Sequence, residues 1–450
     1  MSCGYRASGP IIPARHVGLR KRGDDPIESD NGDHVHRRVV TAAAAPPSPT
    51  RVRSATYATY LAFIAAGLAF ASWASRIPQV RDALLLTPAS LGLVLLASAV
   101  GSVISLPLSG PVITRIGSRR TLTVMSILTA SSLAAIAIGY NYGRLAVVIA
   151  LFFLGIGYGS WDVAMNVQGA TVERLLGRAI MSRFHAGFSV GTVAGALIGA
   201  AMVALEVGVT IHLLVVAVAL GIAVPIGVRS FLPDTAAHEE TVDSVAASTT
   251  PESPKSALSA WRERRTILIG IFVLAFAFAE GTGNDWIAIA LIDGYGATAA
   301  IGTLGFAVFL AAMTAGRWFG PTWLDRFGRV AMNRALTGAS LVGLALFIFG
   351  ANLPLAFVGA ALWGVGISLG FPVGMSAGAD EPPMAAARVS VIASVGYCAF
   401  LAGPPLIGFI GEQVTVLKAM IAVAIVLGLA LLIAGNLRPP RSSQMPSTTE

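Results

Sequence analysis

Glu280, Asp162 and Asn166 are the residues most able to do chemistry in this 450-residue chain, because each lies inside a long apolar run. A charged side chain at the centre of a bilayer costs at least about 2.5–3.5 kcal/mol on insertion scales, so a carboxylate held there is a functional candidate. Glu280 falls midway along the run 266–292. Burial opposes the charged form of a carboxylate, so a glutamate at that depth can take up and release a proton as its surroundings change. Gly281 and Gly283 follow at once, and with Asn284 they predict a broken, polar stretch of helix with carbonyls open to a cavity. Asp162 and Asn166 stand one turn apart on one helix face, which Gly155 and Gly159 continue. A carboxylate beside a carboxamide suits hydroxyl-rich or cationic ligands, since both accept hydrogen bonds and the amide also donates. Trp73 and Trp286 adjoin these polar residues and offer rings for a ligand to stack on, although tryptophans near helix ends also serve the membrane interface.

A second set of residues suggests gating. At an offset of 209, Phe63 aligns with Phe272, and Arg76 then falls opposite Asp285. A pair formed between them would hold the outer mouth shut. The same offset matches Gly155-Ile-Gly157 with Gly364-Val-Gly366 and sets Phe371 opposite Asp162, so one half supplies polar groups and the other an aromatic wall. His185 opens the fifth apolar run and titrates near physiological pH when unperturbed. Gly187, Gly191, Gly195 and Gly199 recur every four residues, a spacing that lets helices touch closely.

The elements that must position these residues are membrane helices. The chain is 55% hydrophobic and 12% charged, whereas soluble proteins average about 25% charged. At about 20 apolar residues per crossing, twelve spans follow: 55–77, 87–109, 121–141, 145–166, 184–205, 209–231, 266–292, 299–320, 332–351, 354–376, 389–411 and 414–436. The polar stretch 232–265 divides them six and six. The expected organisation is all-α: a disordered tail (1–53), a six-helix bundle (54–231), a linker (232–265), a second bundle (266–437) and a tail (438–450). With the N-terminus inside, inner loops carry 16 Lys and Arg, counting Arg317 at a helix end, and outer loops carry four. That asymmetry predicts both termini in the cytoplasm.

The net charge of +8 is therefore topological and gives no reason to expect nucleic-acid binding. Two cysteines form no disulfide framework or metal cluster. No Gly-x-x-x-x-Gly-Lys-[Ser/Thr] loop is present for ATP, and no Ser/His/Asp constellation marks an enzyme. No cofactor is expected.

One short basic turn occurs twice, 211 positions apart: Gly110-Pro-Val-Ile-Thr114-Arg115-Ile-Gly117-Ser-Arg119-Arg120 and Gly320-Pro-Thr-Trp-Leu-Asp325-Arg326-Phe-Gly328-Arg329. Both resemble the Gly-x-x-x-Asp-Arg-x-Gly-Arg-Arg loop of the major facilitator superfamily. The first copy has Thr114 at the acidic position, and Gly320 sits one residue early in the second. The resemblance implies a gating role for Arg115, Asp325, Arg326 and Arg329, with the carboxylate locking the inner gate against neighbouring helix ends and the stronger latch in the second half. The stretches Asp162-Val-Ala-Met-Asn166, His185-Ala-Gly-Phe-Ser-Val-Gly191 and Glu280-Gly-Thr-Gly-Asn-Asp285-Trp286 resemble the YbjJ-like bacterial branch, whose relatives include sugar-type proton symporters.

The family implies a monomeric secondary transporter in the bacterial inner membrane, one bundle rocking against the other around a central site. Proton-coupled symport of a small polar, sugar-like solute is the first expectation, and proton-coupled efflux of drugs or metabolites the alternative. Drug antiporters of the family usually carry Arg-x-x-Gln-Gly in span four, where this chain has Leu151-Phe-Phe-Leu154-Gly155. Their Gly-Pro kink of span five reads Gly195-Ala196 here.

Overall fold

A computed structural model describes residues 47–178, 180–233, 259–381 and 384–439. Most of the expected tails and linker (1–46, 234–258 and 440–450) lies outside them. Twelve helices are long and apolar enough to cross a membrane: α1 (Pro49–Ala83), α2 (Pro88–Ile116), α3 (Ser118–Gly139), α4 (Arg144–Leu176), α5 (Met181–Ala204), α6 (Val209–Ser230), α7 (Arg264–Tyr295), α8 (Ala299–Phe327), α9 (Arg329–Phe349), α10 (Leu353–Gly378), α11 (Ala387–Gln413) and α12 (Val416–Leu437). Their existence follows from hydropathy, and their ends from local chemistry. Pro49 opens α1 at the first turn, where a missing N–H costs nothing. The helix therefore begins before residue 55 and carries Arg51 and Arg53 beyond its apolar stretch.

The repeat is sharpest at α2 and α8. Thr87 caps the first by accepting from Ser90 N, and Thr298 caps the second by accepting from Ile301 N, both at 3.4 Å. Each helix then runs 29 residues and stops at a glycine of positive φ, Gly117 (84°) and Gly328 (77°). A side chain at that φ is strained, which is why both basic turns carry glycine there.

Within the first half α1 packs on α5, α2 on α4, and α3 on α4 and α6. The second half repeats this as α7 on α11, α8 on α10, and α9 on α10 and α12. The glycine ladder of α5 is a packing surface, as expected: a Cβ at Gly191 would run into the Ile64 carbonyl of α1, and one at Gly195 would stand 2.9 Å from Leu68 O. The bundles meet along two symmetry-related contacts, α2 with α11 and α5 with α8. Three helices are interrupted, α1 at Ser75–Arg76, α10 at Ser368–Leu369 and α12 at Met420. By contrast α7 is continuous from Arg264 to Tyr295. The break expected at Gly281–Gly283 is thus absent, because Gly283 makes room for the ring of Phe309 instead.

Candidate functional site

Glu280 sits at mid-helix in α7 and faces Arg317 of α8, whose Nη2 donates to both carboxylate oxygens at 2.9 and 2.8 Å. The sequence placed Glu280 inside the helix but not its cationic partner. Arg317, expected at a helix end, lies well inside α8, and its long stem carries the guanidinium to Glu280. Arg317 Nε also reaches Ser368 O at 3.4 Å, a carbonyl at the break in α10. One cation thus ties three helices of the second bundle together. His185 of α5, in the other bundle, lies within electrostatic range of Arg317.

Asp162 occupies the middle of α4. Asn166 Nδ2 donates to Asp162 Oδ1 at 3.3 Å and to Asp162 O at 2.9 Å, so the expected shared face is present. Both side chains are half-buried. Tyr158 of the same helix and Tyr397 of α11 are within range of the Asp162 charge. Tyr397 stacks obliquely on Phe400, with ring centroids 6.1 Å apart, and Phe400 packs over Gly281 beside Glu280. The two carboxylates therefore belong to one mid-membrane region built from both bundles. Asn284 is half-buried, with its Oδ1 enclosed and unpaired among the described residues. Trp286 and Trp73 are 0% and 7% exposed, so neither offers a stacking face in this conformation. They fill helix packing, which corrects that expectation.

The expected Arg76–Asp285 pair is not formed. Arg76 Nε donates to His212 Nδ1 at 2.8 Å and its Nη2 to Val207 O at 3.0 Å, both within the first bundle. The break in α1 just before Arg76 directs the side chain toward α6 rather than α7. Asp285 has no hydrogen-bond or ion-pair partner among the described residues. One turn further along α1, Arg81 bridges the bundles, donating to Asp293 of α7 at 2.5 and 3.1 Å. Glu412 of α11 accepts from Ala89 N of α2 at 3.2 Å on the same end. Among the described residues, the hydrogen bonds and ion pairs that join the two bundles all lie at this end, away from the linker.

At the linker end the basic turns behave differently from expectation. Asp325 is exposed and pairs with nothing among the described residues, Arg115 likewise, and Arg326 lies over its neighbour Phe327. The inner latch is therefore not engaged in this conformation. Arg329 instead pairs with Asp380, two residues beyond the end of α10, at 2.6 Å, and Arg265 holds the other oxygen of Asp380 at 2.8 Å. Arg388 bridges Glu263 and Glu381 alongside. Its hydrogen bonds to Glu263 hold that carboxyl below its ordinary value of 4.5. All these contacts stay within the second bundle, so they stiffen it and leave the linker-side mouth unlatched.

Residues 59–399 match the model of the Major Facilitator Superfamily. The chain belongs to that superfamily. Among superfamily relatives, an uncharacterised transporter, y4wD, of Sinorhizobium fredii is 32% identical over 84% of this chain and 96% of its own length. An uncharacterised MFS-type transporter of Yersinia pestis is 30% identical over 82% and 92%. Membrane protein MosC of Rhizobium meliloti is 27% identical over 82% and 87%. The crystal structure of the nucleoside transporter NupG superposes with a TM-score of 0.67 at 14% identity, covering 86% of this chain and 98% of that one, which establishes the shared fold. The protein is thus a multi-pass membrane transporter of the Major Facilitator Superfamily and not an enzyme.

Several members of this site were missed in the sequence. Arg317 was hidden by its expected place at a helix end, and Tyr397 by its ordinary composition for an interfacial aromatic. Arg81 and Asp293 are separated by 212 positions, close to the repeat offset, and that signal was available.

Proposed function

We propose that this protein carries a small, hydroxyl-rich solute together with protons by alternating access, with the linker and both termini in the cytoplasm of a bacterial inner membrane. The observation that carries the reading is the pair of half-buried carboxylates at mid-helix, Asp162 beside Asn166 and Glu280 held by Arg317, between bundles that among the described residues are hydrogen-bonded to each other at the far end alone. Asp162 and Asn166 present acceptors and amide donors to a polyol. Glu280 exchanges partners with the proton: protonation removes the charge that holds Arg317, leaving the guanidinium its bond to Ser368 O and freedom to meet solute or His185. That step loosens α7, α8 and α10 together, which couples the proton to bundle movement. One chain supplies every group, so a monomer suffices. Arg76, Asp285, Trp73 and Trp286 take part as packing that shifts when the mouth opens rather than as direct ligands.

Sugars head the list of solutes because Asp162 and Asn166 side by side offer both hydrogen-bond acceptors and an amide donor to hydroxyl groups. Nucleosides belong beside them, since the NupG neighbour is a nucleoside transporter and a nucleoside carries a sugar. The test is uptake into proteoliposomes of a panel of sugars, nucleosides and cationic drugs under an imposed pH gradient. Sugar or nucleoside accumulation driven by an inward proton gradient, and lost in Glu280→Gln and Asp162→Asn, is the expected result. Transport indifferent to the gradient and to both substitutions overturns proton coupling, and transport of the drugs alone overturns the solute class.

A further inference from the structure

Two arginines of the first basic turn, and a third at the end of α6, are not used by the transport site. Arg119 and Arg120 stand in the first turn of α3, and Arg229 in the last turn of α6. They converge on one pocket of about 590 Å3, whose other walls are Ile116, Thr123, Val124 and Pro225. All three are exposed, and none has an acidic partner among the described residues. Three guanidinium groups in one pocket repel one another until an anion enters. Each presents a planar fork that matches phosphate oxygens two at a time. The second half shows the contrast: Arg329, on its basic turn, is already neutralised by Asp380 at 2.6 Å. In the first half the nearby acid, Glu173, is occupied by the backbone N–H groups of Ile180 and Met181.

The apolar walls identify where the phosphate comes from. Val124 and Ile127 on α3, and Ile222 and Ile226 on α6, are 52%, 47%, 56% and 55% exposed on two helices that pack together. They run from the arginines into the bilayer depth, where a soluble phosphate has no use for them and an acyl chain does. We infer that Arg119, Arg120 and Arg229 form a binding site for the phosphate of an anionic phospholipid in the linker-side leaflet, its chain lying along the α3–α6 groove. A lipid seated there ties the outer helices of the first bundle to the membrane surface and gives that bundle a fixed footing against which the other moves. The site is independent of the transported solute.

The test uses the full-length protein in detergent, with native mass spectrometry to count retained lipids and thermal unfolding to follow stability. Phosphatidylglycerol, phosphatidylcholine and inorganic phosphate are offered separately to the wild type, to Arg119→Gln/Arg120→Gln/Arg229→Gln, and to Arg174→Gln/Arg178→Gln/Arg183→Gln. The last variant removes the same charge elsewhere at the linker end and controls for folding and for bulk electrostatics. The expected result is preferential retention of phosphatidylglycerol, weakened by about fivefold for each arginine removed from the pocket and unchanged in the control variant. Equal retention of phosphatidylcholine, equal stabilisation by inorganic phosphate, or equal loss in both triple variants overturns the proposal. So does binding that emerges only when the linker acids Asp234, Glu239, Glu240 and Asp243 are replaced by amides, because the pocket then belongs to the linker.

Discussion

Arg81 of α1 and Asp293 of α7 form a two-pronged ion pair across the far mouth, at 2.5 and 3.1 Å, and with Glu412 on Ala89 N they join the two bundles. Arg81 is 11% exposed and Asp293 42%, so the pair lies at the membrane surface rather than in the core. Such partly solvated pairs contribute about 0.2–1 kcal/mol, enough to bias a two-state equilibrium and small enough for a solute to reverse.

Removing this pair is expected to open the far mouth. In Arg81→Ala or Asp293→Ala, spin labels placed on the far ends of α1 and α7 should show the open population rising by up to about fivefold, as ~1 kcal/mol implies. The exchanged pair Arg81→Asp/Asp293→Arg should return the distribution toward that of the wild type. Distances unchanged in both single variants would remove the pair from the gate.

Gly191 should tolerate no side chain. A Cβ there meets the Ile64 carbonyl, part of a helix backbone that cannot move alone. Gly191→Ala is expected to cost about 1–3 kcal/mol, read as a lower midpoint of thermal unfolding in detergent, whereas Gly110→Ala, with open space around it, should change nothing.

Asp380 and Asp325 should separate cleanly. Asp380 is 9% exposed and holds two arginines, so Asp380→Asn is expected to destabilise the second bundle by about 1.5–3 kcal/mol. Asp325→Asn removes no bond present in this conformation and should leave unfolding unchanged while altering transport, because its turn is expected to latch only when the linker-side mouth closes.

Acid should weaken the same end of the protein. Arg388 keeps the Glu263 carboxyl below its ordinary 4.5, so the folded state binds that proton less readily than the unfolded state. The stabilisation is present above about 4.5 and is lost as pH falls through the depressed folded value. A pH series of unfolding midpoints should show this loss in the wild type and a flatter curve in Glu263→Gln.

Much of this was legible in the residues themselves. Hydropathy found all twelve crossings, because lipid leaves backbone groups no partner but their own helix. The recurrence of Gly117 and Gly328 in the two basic turns marked equivalent helices, and the structure adds the matching caps Thr87 and Thr298 at their other ends. The site was half visible: Asp162 and Asn166 are one turn apart and local periodicity pairs them. Partners chosen across helices were not visible. Arg76 and Asp285 match by repeat, but a break in α1 turns Arg76 toward His212, and no local pattern announces that break. Glu280 found its cation on the neighbouring helix, 37 positions away, at a distance only packing reveals.

The central claim is that solute and proton move together through Asp162 and Glu280. Proteoliposomes loaded with a pH-sensitive dye, at symmetric starting pH, test it directly when a solute identified by uptake is added outside. Lumenal acidification that follows solute entry in the wild type and disappears in Glu280→Gln and Asp162→Asn is the predicted result. Solute entry with no acidification in the wild type, or acidification equal in all three proteins, would contradict it.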